Sequence, residues 1–138
     1  MSRIKDSPKS ASTLAVKADA NYRISKSTDP LYSFMGRLFQ DNDTTKRGVK
    51  FIQLLKKRQI EGNSLKINEL DLILIELSCG KSSFYAMRNR LKGAGIISIR
   101  KREYRLSLQF SADLIELSDF WTFFVRSQID IPEIQPTD

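Results

Sequence analysis

Apolar residues recur at steps of three and four along much of the chain, which is the spacing of amphipathic helices. The first such segment follows Asp29, a preferred N-cap residue, with Pro30 in the first helical position. The spacing predicts a short helix that ends near Gln40. Its apolar side consists of Leu31, Phe34, Met35, Leu38 and Phe39.

A second, longer helix is predicted after a polar break at residues 41–43. Either Thr44 or Thr45 is expected to cap it, and Gly62 with Asn63 ends it. Its apolar side is predicted to comprise Val49, Phe51, Ile52 and Leu55 and to extend to Ile60.

Two shorter helices are predicted next, joined by a tight turn at 78–80. Asn68 is expected to cap the first, whose apolar positions are Leu70, Ile73, Leu74 and Leu77. The second spans 81–94, and Gly95 follows it as a terminating glycine. It carries Phe84, Met87, Leu91 and Ala94 on one stripe.

Period-two alternation predicts two β segments. A brief one at 65–67 could pair with a later strand. A hairpin is predicted over 96–110, with its tip at 100–102 and one buried face. Its second strand alternates through Tyr104, Leu106, Leu108 and Phe110.

A last helix, capped by Ser111, is predicted to run to about Gln128. The fold class is therefore mainly α with a small β-hairpin, or α+β. Five segments are expected: a flexible basic arm at 1–28, a short helix and loop at 29–43, a central domain at 44–110, a C-terminal helix at 111–128 and a tail at 129–138.

Composition fits a soluble protein with one ordinary core. The chain has 138 residues, of which 41% are hydrophobic and 28% charged. No apolar run approaches the ~20 residues of a membrane span, and no secretory signal is recognisable. We expect no membrane partner and a cytoplasmic or nucleoid-associated protein. The single cysteine, Cys79, is interpreted as a small turn residue rather than a redox sensor.

Enzymatic chemistry is not indicated. The chain has no histidine, the commonest general acid or base near neutral pH, and no glycine-rich loop stands at the start of a helix. Neither paired carboxylates nor a metal-ligand spacing is recognisable. We expect a protein that is not an enzyme and has no cofactor or metal.

Positive charge is concentrated in the centre of the chain. Residues 77–108 contain eight basic residues and one acid, Glu103, so their net charge of +7 equals that of the whole protein. The segment 111–138 is acidic, with one basic and six acidic residues. A basic helix and hairpin are typical of a surface that binds nucleic acid.

The order helix, short strand, helix, tight turn, helix, hairpin resembles the winged helix-turn-helix superfamily over about 44–110. The specific match is the stretch LSCGKSSFYAMRNRLKGAGII at 77–97: a leucine, a small turn, a helix that opens with serines, and an entry into the wing. Gly80 stands where that superfamily often has Ser or Thr as the cap. The resemblance implies that 81–92 is the recognition helix and 100–102 the wing tip.

The residues themselves point to a reading face on that helix. With Phe84, Met87 and Leu91 toward the core, the opposite side carries neutral residues that a major groove can accommodate. Asn89 could contact adenine, and Lys81 at the helix N-terminus favours a phosphate. The predicted DNA-binding residues are Lys81, Ser82, Ser83, Tyr85, Ala86, Asn89, Arg90, Lys92, Arg100, Lys101 and Arg102.

Several of these residues have structural alternatives. Tyr85 could instead cover the seam between two helices. Arg88 could form a salt bridge with Glu69 or Asp71 rather than contact DNA. The charge run at 56–58 is interpreted as a solvated face rather than a phosphate clamp.

The last helix holds three phenylalanines and the only tryptophan within 120–124. Such a cluster covers more than one face, so one core is not expected to absorb it, and exposed aromatic patches usually have partners. We expect a homodimer through Leu117, Phe120, Trp121, Phe124 and Val125. The alternative is packing within the chain against the helix at 31–39.

The leading functional expectation is a dimeric protein that binds double-stranded DNA, either a transcriptional regulator or a plasmid or viral replication or partition factor. An alternative is a winged-helix scaffold that binds a second protein. Binding of RNA or single-stranded DNA would rest on Tyr85 and Tyr104 as stacking residues.

Overall fold

The computed structural model describes Ile24 and residues 27–128. The predicted tail at 129–138, and the predicted arm apart from Ile24, Ser27 and Thr28, lie outside the described residues. The described part is mostly helical with one small antiparallel sheet, so the α+β class is confirmed. Its elements are α1 (Pro30–Phe39), α2 (Asn42–Ile60), β1 (Leu65–Lys66), a 3-10 turn (Ile67–Glu69), α3 (Leu70–Leu77), α4 (Lys81–Gly93), β2 (Ile97–Arg100), β3 (Glu103–Leu106) and α5 (Gln109–Gln128).

Aspartates cap the first two helices. The side chain of Asp29 accepts the Tyr32 N–H at 3.2 Å, which confirms the predicted start of α1. The start of α2 was predicted wrongly, because Asp41 rather than a threonine caps it and accepts the Thr44 N–H at 3.1 Å. Thr45 is buried, and its hydroxyl donates to the Asp41 carbonyl at 2.6 Å.

The strands form a sheet in the order β1-β3-β2. Leu65 pairs with Tyr104, which confirms that the first β segment joins a later strand, although Ile67 already belongs to the 3-10 turn. Arg100, predicted as part of the hairpin tip, is the last residue of β2 and pairs with Glu103. The turn itself is Lys101 and Arg102, and both have positive φ, 51° and 65°.

The hairpin is shorter than predicted. β3 ends at Leu106, Leu108 is 82% exposed, and Phe110 lies in the first turn of α5. The Ser107 hydroxyl accepts the Gln109 N–H at 3.0 Å, and the Phe110 N–H donates to the Gly95 carbonyl at 3.0 Å. These bonds turn the chain early, so α5 begins before Ser111, which is not its cap.

The start of α3 also differs from the prediction. A 3-10 turn precedes the helix, and Asn68 lies inside that turn instead of capping α3. The Glu69 carboxylate accepts the Lys66 N–H at 2.9 Å and closes the turn.

The first four helices, α1, α2, α3 and α4, share one hydrophobic core with the sheet. Phe51 of α2, Phe84 of α4 and Tyr104 of β3 are buried and meet edge to face, with ring centroids 5.3 to 6.2 Å apart. The predicted stripe of Phe84, Met87 and Leu91 is buried, as is most of the predicted apolar side of α2. Ile60 was assigned wrongly, since it is 75% exposed near the end of α2.

Candidate nucleic-acid interface

Helix α4 is fixed in place by its buried stripe and by the turn before it. Ser78 has a left-handed conformation, with φ of 54°, which ends α3 and redirects the chain, and Gly80 then begins α4 in an extended conformation. The remaining side of α4 faces solvent. Its exposed residues include Lys81, Ser82, Ser83, Tyr85, Ala86, Arg90 and Lys92.

Asn89 is placed differently from this group. It is half-buried, and its side-chain oxygen accepts a hydrogen bond from Arg88 Nη2 at 3.0 Å. A bidentate contact with adenine uses the same side-chain amide, so that oxygen would have to accept from the base and from Arg88 together. Ser82 and Ala86 are more exposed on the same helix.

Arg88 is held by aromatic side chains. Its guanidinium lies 4.7 Å from the centre of the Tyr85 ring, and its Nε is buried without a hydrogen-bond partner among the described residues. Burial raises the pKa of Tyr104, and a hydrogen bond from Arg88 partly opposes that rise. The salt bridge from Arg88 to Glu69 or Asp71, considered as an alternative to DNA contact, is not formed; Glu69 pairs with Arg58 instead.

Tyr104 is 1% exposed and cannot serve as a stacking platform. Tyr85 is partly exposed, but its ring also packs beside Phe84, with centroids 5.4 Å apart. Of the two tyrosines expected to stack on the bases of RNA or single-stranded DNA, only Tyr85 is therefore accessible.

The run at 56–58 divides into two roles. Lys56 and Lys57 are exposed, as interpreted, whereas Arg58 pairs with Glu69 at 2.7 Å and has a side chain only 15% exposed. The Arg58 guanidinium and then the Lys66 N–H lower the pKa of Glu69. Assigning Arg58 to a solvated face was therefore wrong.

The β2–β3 hairpin carries the second group of predicted contacts. Arg100, Lys101 and Arg102 are exposed, and the first two line an open cleft of about 420 Å³ with Arg105. Glu103 is half-buried; a hydrogen bond from Ser64 and then one from Arg105 lower its pKa. The Arg105–Glu103 distance is 2.8 Å, so the one acid of segment 77–108 is paired.

A cleft of about 270 Å³ between α2 and α4 includes residues that the sequence did not indicate. Arg47 and Thr44 of α2 face Ser83 and Arg90 of α4 across it, and Asp41 also lines it. Helix α4 itself contains no acid, but folding brings the Asp41 carboxylate close to its exposed side. The only available signal for Arg47 was a pair of cations, Lys46 and Arg47, near the start of a helix, where acids are normally favoured.

Hydrogen bonds from the Thr44 backbone and side chain lower the pKa of Asp41, and the charges of Arg47 and Arg90 lower it further. The carboxylate is thus ionised near neutral pH. It belongs to α2 as its cap and lies within electrostatic reach of a cation from each helix.

Helix α5 exposes the residues predicted for dimerisation. Trp121 is 61% exposed, and Leu117, Phe120 and Phe124 are also exposed, with Val125 half-buried. The aromatic rings among them stack, with the Trp121 and Phe124 centroids 5.8 Å apart. Phe110 in the first turn of α5 contacts Phe34 of α1. The aromatic residues at 120–124 are not part of the core.

The sequence model of one family, described as an archaeal family, matches residues 28–127. The chain belongs to this archaeal family. No curated protein and no solved structure matches the chain. The segment shared with the archaeal family runs from just before α1 into the last turn of α5, so α5 is part of the family's common sequence.

The described residues of this archaeal family member contain neither a membrane-spanning helix nor a metal-binding cluster. None of its described helices combines the length and the apolar character needed to cross a membrane. No group of three or more Cys, Asp or Glu side chains within that part is arranged to hold a metal ion.

Proposed function

We propose that α2 to β3 form a winged helix-turn-helix domain that binds double-stranded DNA. The element order, the β1-β3-β2 sheet and the tight α3–α4 turn support this assignment. In this interpretation α4 is the recognition helix and the β2–β3 hairpin is the wing.

The observation that carries the proposal is the composition of the exposed side of α4. Small or neutral residues, Ser82 and Ala86 among them, occupy it, while Lys81, Arg90 and Lys92 supply cations and α4 contains no acid. A groove about 12 Å wide admits such a helix, and its phosphate walls attract the flanking cations. A helix that packed only against protein would not need this distribution of charge.

The wing supplies further backbone contacts. Lys101 and Arg102 project from a two-residue turn, where long cationic side chains can reach a phosphate or enter the minor groove. We assign base contact to Ser82, Ala86 and Tyr85, and phosphate contact to Lys81, Arg90, Lys92 and the wing.

We also propose that α5 joins two copies of the chain. Four aromatic side chains that are each roughly half exposed leave on the order of 1,000 Å² of apolar area in a symmetrical pair, which approaches the size of a specific interface. A dimer presents two α4 helices to half-sites one duplex turn apart. Such a protein would act as a transcriptional regulator or as a replication or partition factor.

A titration of labelled duplex DNA at several salt concentrations tests this function. With about five phosphate contacts per protomer, the logarithm of affinity should fall against the logarithm of salt with a slope of about −4 or steeper. An excess of single-stranded competitor should displace little protein. Failure of the protein to bind duplex at about 50 mM salt would overturn the proposal.

The exposed aromatic cluster on α5 also favours a second function, a scaffold that binds another protein. That alternative requires no affinity for duplex DNA. A monomeric protein that does not bind duplex at low salt would support it in place of DNA binding.

A further inference from the structure

The cleft between α2 and α4 shares Ala86 and Arg90 with the contacts assigned above and adds residues of α2 to them. Arg47 and Arg90 approach it from separate helices, and the hydroxyl-bearing residues Thr44 and Ser83 complete its polar lining. The opening of about 270 Å³ is large enough for a phosphate group.

Asp41 does not exhaust the hydrogen-bonding capacity of this cleft. Its carboxylate already accepts the Thr44 N–H, and it is fixed in position as the cap of α2. Two guanidinium groups carry ten N–H donors between them, far more than one carboxylate can accept. Two cations against one acid leave a net charge of +1, so an additional anion is favoured.

The cleft also lies beside the exposed side of α4, at the position that a backbone phosphate would take if α4 entered the major groove. Ala86 lines it and belongs to the exposed side of α4, so the cleft borders the proposed reading face directly. A helix in the major groove has a phosphate strand on each side, so groups flanking it meet the backbone.

We infer that this cleft binds one phosphate of the DNA backbone through Arg47 and Arg90, while the Asp41 carboxylate that lines the same cleft offsets part of their positive charge. The inference rests on the proposed function and adds to it. It brings α2 into the interface and gives Arg47 a role that the sequence did not indicate.

Replacement of Arg47 provides the test. The Arg47→Ala variant should bind duplex about five-fold or more weakly at about 100 mM salt, and its salt slope should be shallower by about 1. Lys57→Ala removes the same charge from the far end of α2, at an exposed site, and should keep the wild-type slope. Arg47→Lys should restore most of the slope because it restores the charge.

Asp41→Asn is a second, independent variant. Asparagine caps a helix as well as aspartate does, so folding should be preserved while the negative charge in the cleft is lost. Duplex affinity should rise by about three-fold or more as repulsion of the phosphate is removed.

These outcomes separate the inference from the proposed function. If the wild type does not bind duplex, both are overturned. If the wild type binds and a folded Arg47→Ala variant keeps its affinity and slope, the cleft is not a phosphate site and the inference alone is overturned. Thermal unfolding followed by circular dichroism establishes that each variant is folded.

Discussion

Glu69 connects three parts of the domain through one carboxylate. It accepts the Lys66 N–H at the end of β1 and pairs with Arg58 of α2 at 2.7 Å, while it closes the turn before α3. Charge-assisted hydrogen bonds of this kind are stronger than neutral ones. The position of α3, and through it the turn before α4, depends on this residue.

We predict that Glu69 contributes to acid sensitivity. Its folded pKa lies below the ordinary value of 4.5, so its stabilisation is complete above that value and is lost as pH falls through the folded pKa. In urea unfolding at pH 7 and about pH 3, Glu69→Gln should lose less stability on acidification than the wild type, by about 1 kcal/mol. Asn68→Ala, at an exposed position next to Glu69 that carries no titratable group, offers a control and should lose as much stability on acidification as the wild type. Equal losses in Glu69→Gln and wild type would contradict this assignment.

Burial of single residues could be predicted from the sequence, whereas their side-chain partners could not. The stripe of Phe84, Met87 and Leu91 was predictable because helical spacing alone fixes which side of α4 is buried. The partner of Glu69 was not, since Arg58 is eleven residues away and only the α2–β1 turn brings it close. Asn89 was correctly placed on α4, but its bond to Arg88 depends on side-chain conformations that spacing does not encode.

At the level of elements, α1 and α2 pack closely at Gly48. A Cβ there would lie 2.7 Å from Phe39 Cε2 and 3.4 Å from Met35 Sδ, whereas one at Gly36 would have no neighbour within 4 Å. The absence of a side chain at Gly48 therefore permits the close packing of α1 and α2, whereas at Gly36 it does not affect the packing.

We predict opposite effects of alanine at these positions. Gly48→Ala should destabilise the protein by about 1–3 kcal/mol, because the added methyl overpacks the α1–α2 contact. Gly36→Ala should stabilise it by about 0.5–1 kcal/mol through helix propensity. Chemical denaturation of both variants measures the difference. Equal effects of the two substitutions would show that the close approach at Gly48 does not constrain the packing.

The turn at the wing combines cationic side chains with an unfavourable backbone. Lys101 and Arg102 both have positive φ, where Asn and Gly are preferred in two-residue hairpins. Residues that strain the backbone are often retained for function.

The variant Lys101→Asn with Arg102→Gly should therefore separate stability from binding. We predict a gain of about 1 kcal/mol or more in folding stability, together with at least about ten-fold weaker duplex binding at moderate salt. Thermal melts and the DNA titration report the two quantities. Unchanged DNA affinity in the more stable variant would exclude the wing tip from the interface.

Some element boundaries followed from local residues, whereas the end of β3 depends on a bond between distant ones. Asp29 and Pro30 began α1 as expected. The alternation through Phe110 suggested a longer β3, but the bond from the Phe110 N–H to the Gly95 carbonyl starts α5 instead. That bond joins residues fifteen positions apart, and no local pattern reveals it.

At the scale of the whole molecule, α5 carries a cluster of exposed apolar side chains that have no core partner among the described residues. We predict a dimer of twice 15.9 kDa in sedimentation equilibrium. Trp121→Gln should shift it toward monomer by about ten-fold or more in dissociation constant with little change in the monomer's folding, because an exposed aromatic anchor is lost. Ile60→Gln replaces an exposed apolar residue on α2 and should leave the mass unchanged. A wild-type mass of 15.9 kDa at high concentration would contradict this role of α5.

The global arrangement of charge could be anticipated only in part. The basic character of α4 and the hairpin is visible along the sequence, because those residues are close in the chain. Asp41 and Arg47 lie about forty residues before the α4 residues that line the same cleft, so only folding brings them together.

The most direct test of DNA recognition by α4 places a negative charge on the proposed reading face. Ala86 is exposed at the centre of α4, while Gln53 is exposed on α2 beside Lys56 and Lys57, outside the proposed interface. Duplex affinity should be measured for the wild type, Ala86→Glu and Gln53→Glu, two variants with the same change in charge. Ala86→Glu should weaken duplex binding about ten-fold or more, whereas Gln53→Glu should weaken it less than about two-fold. Equal affinities of the two variants would contradict the claim that α4 enters the groove.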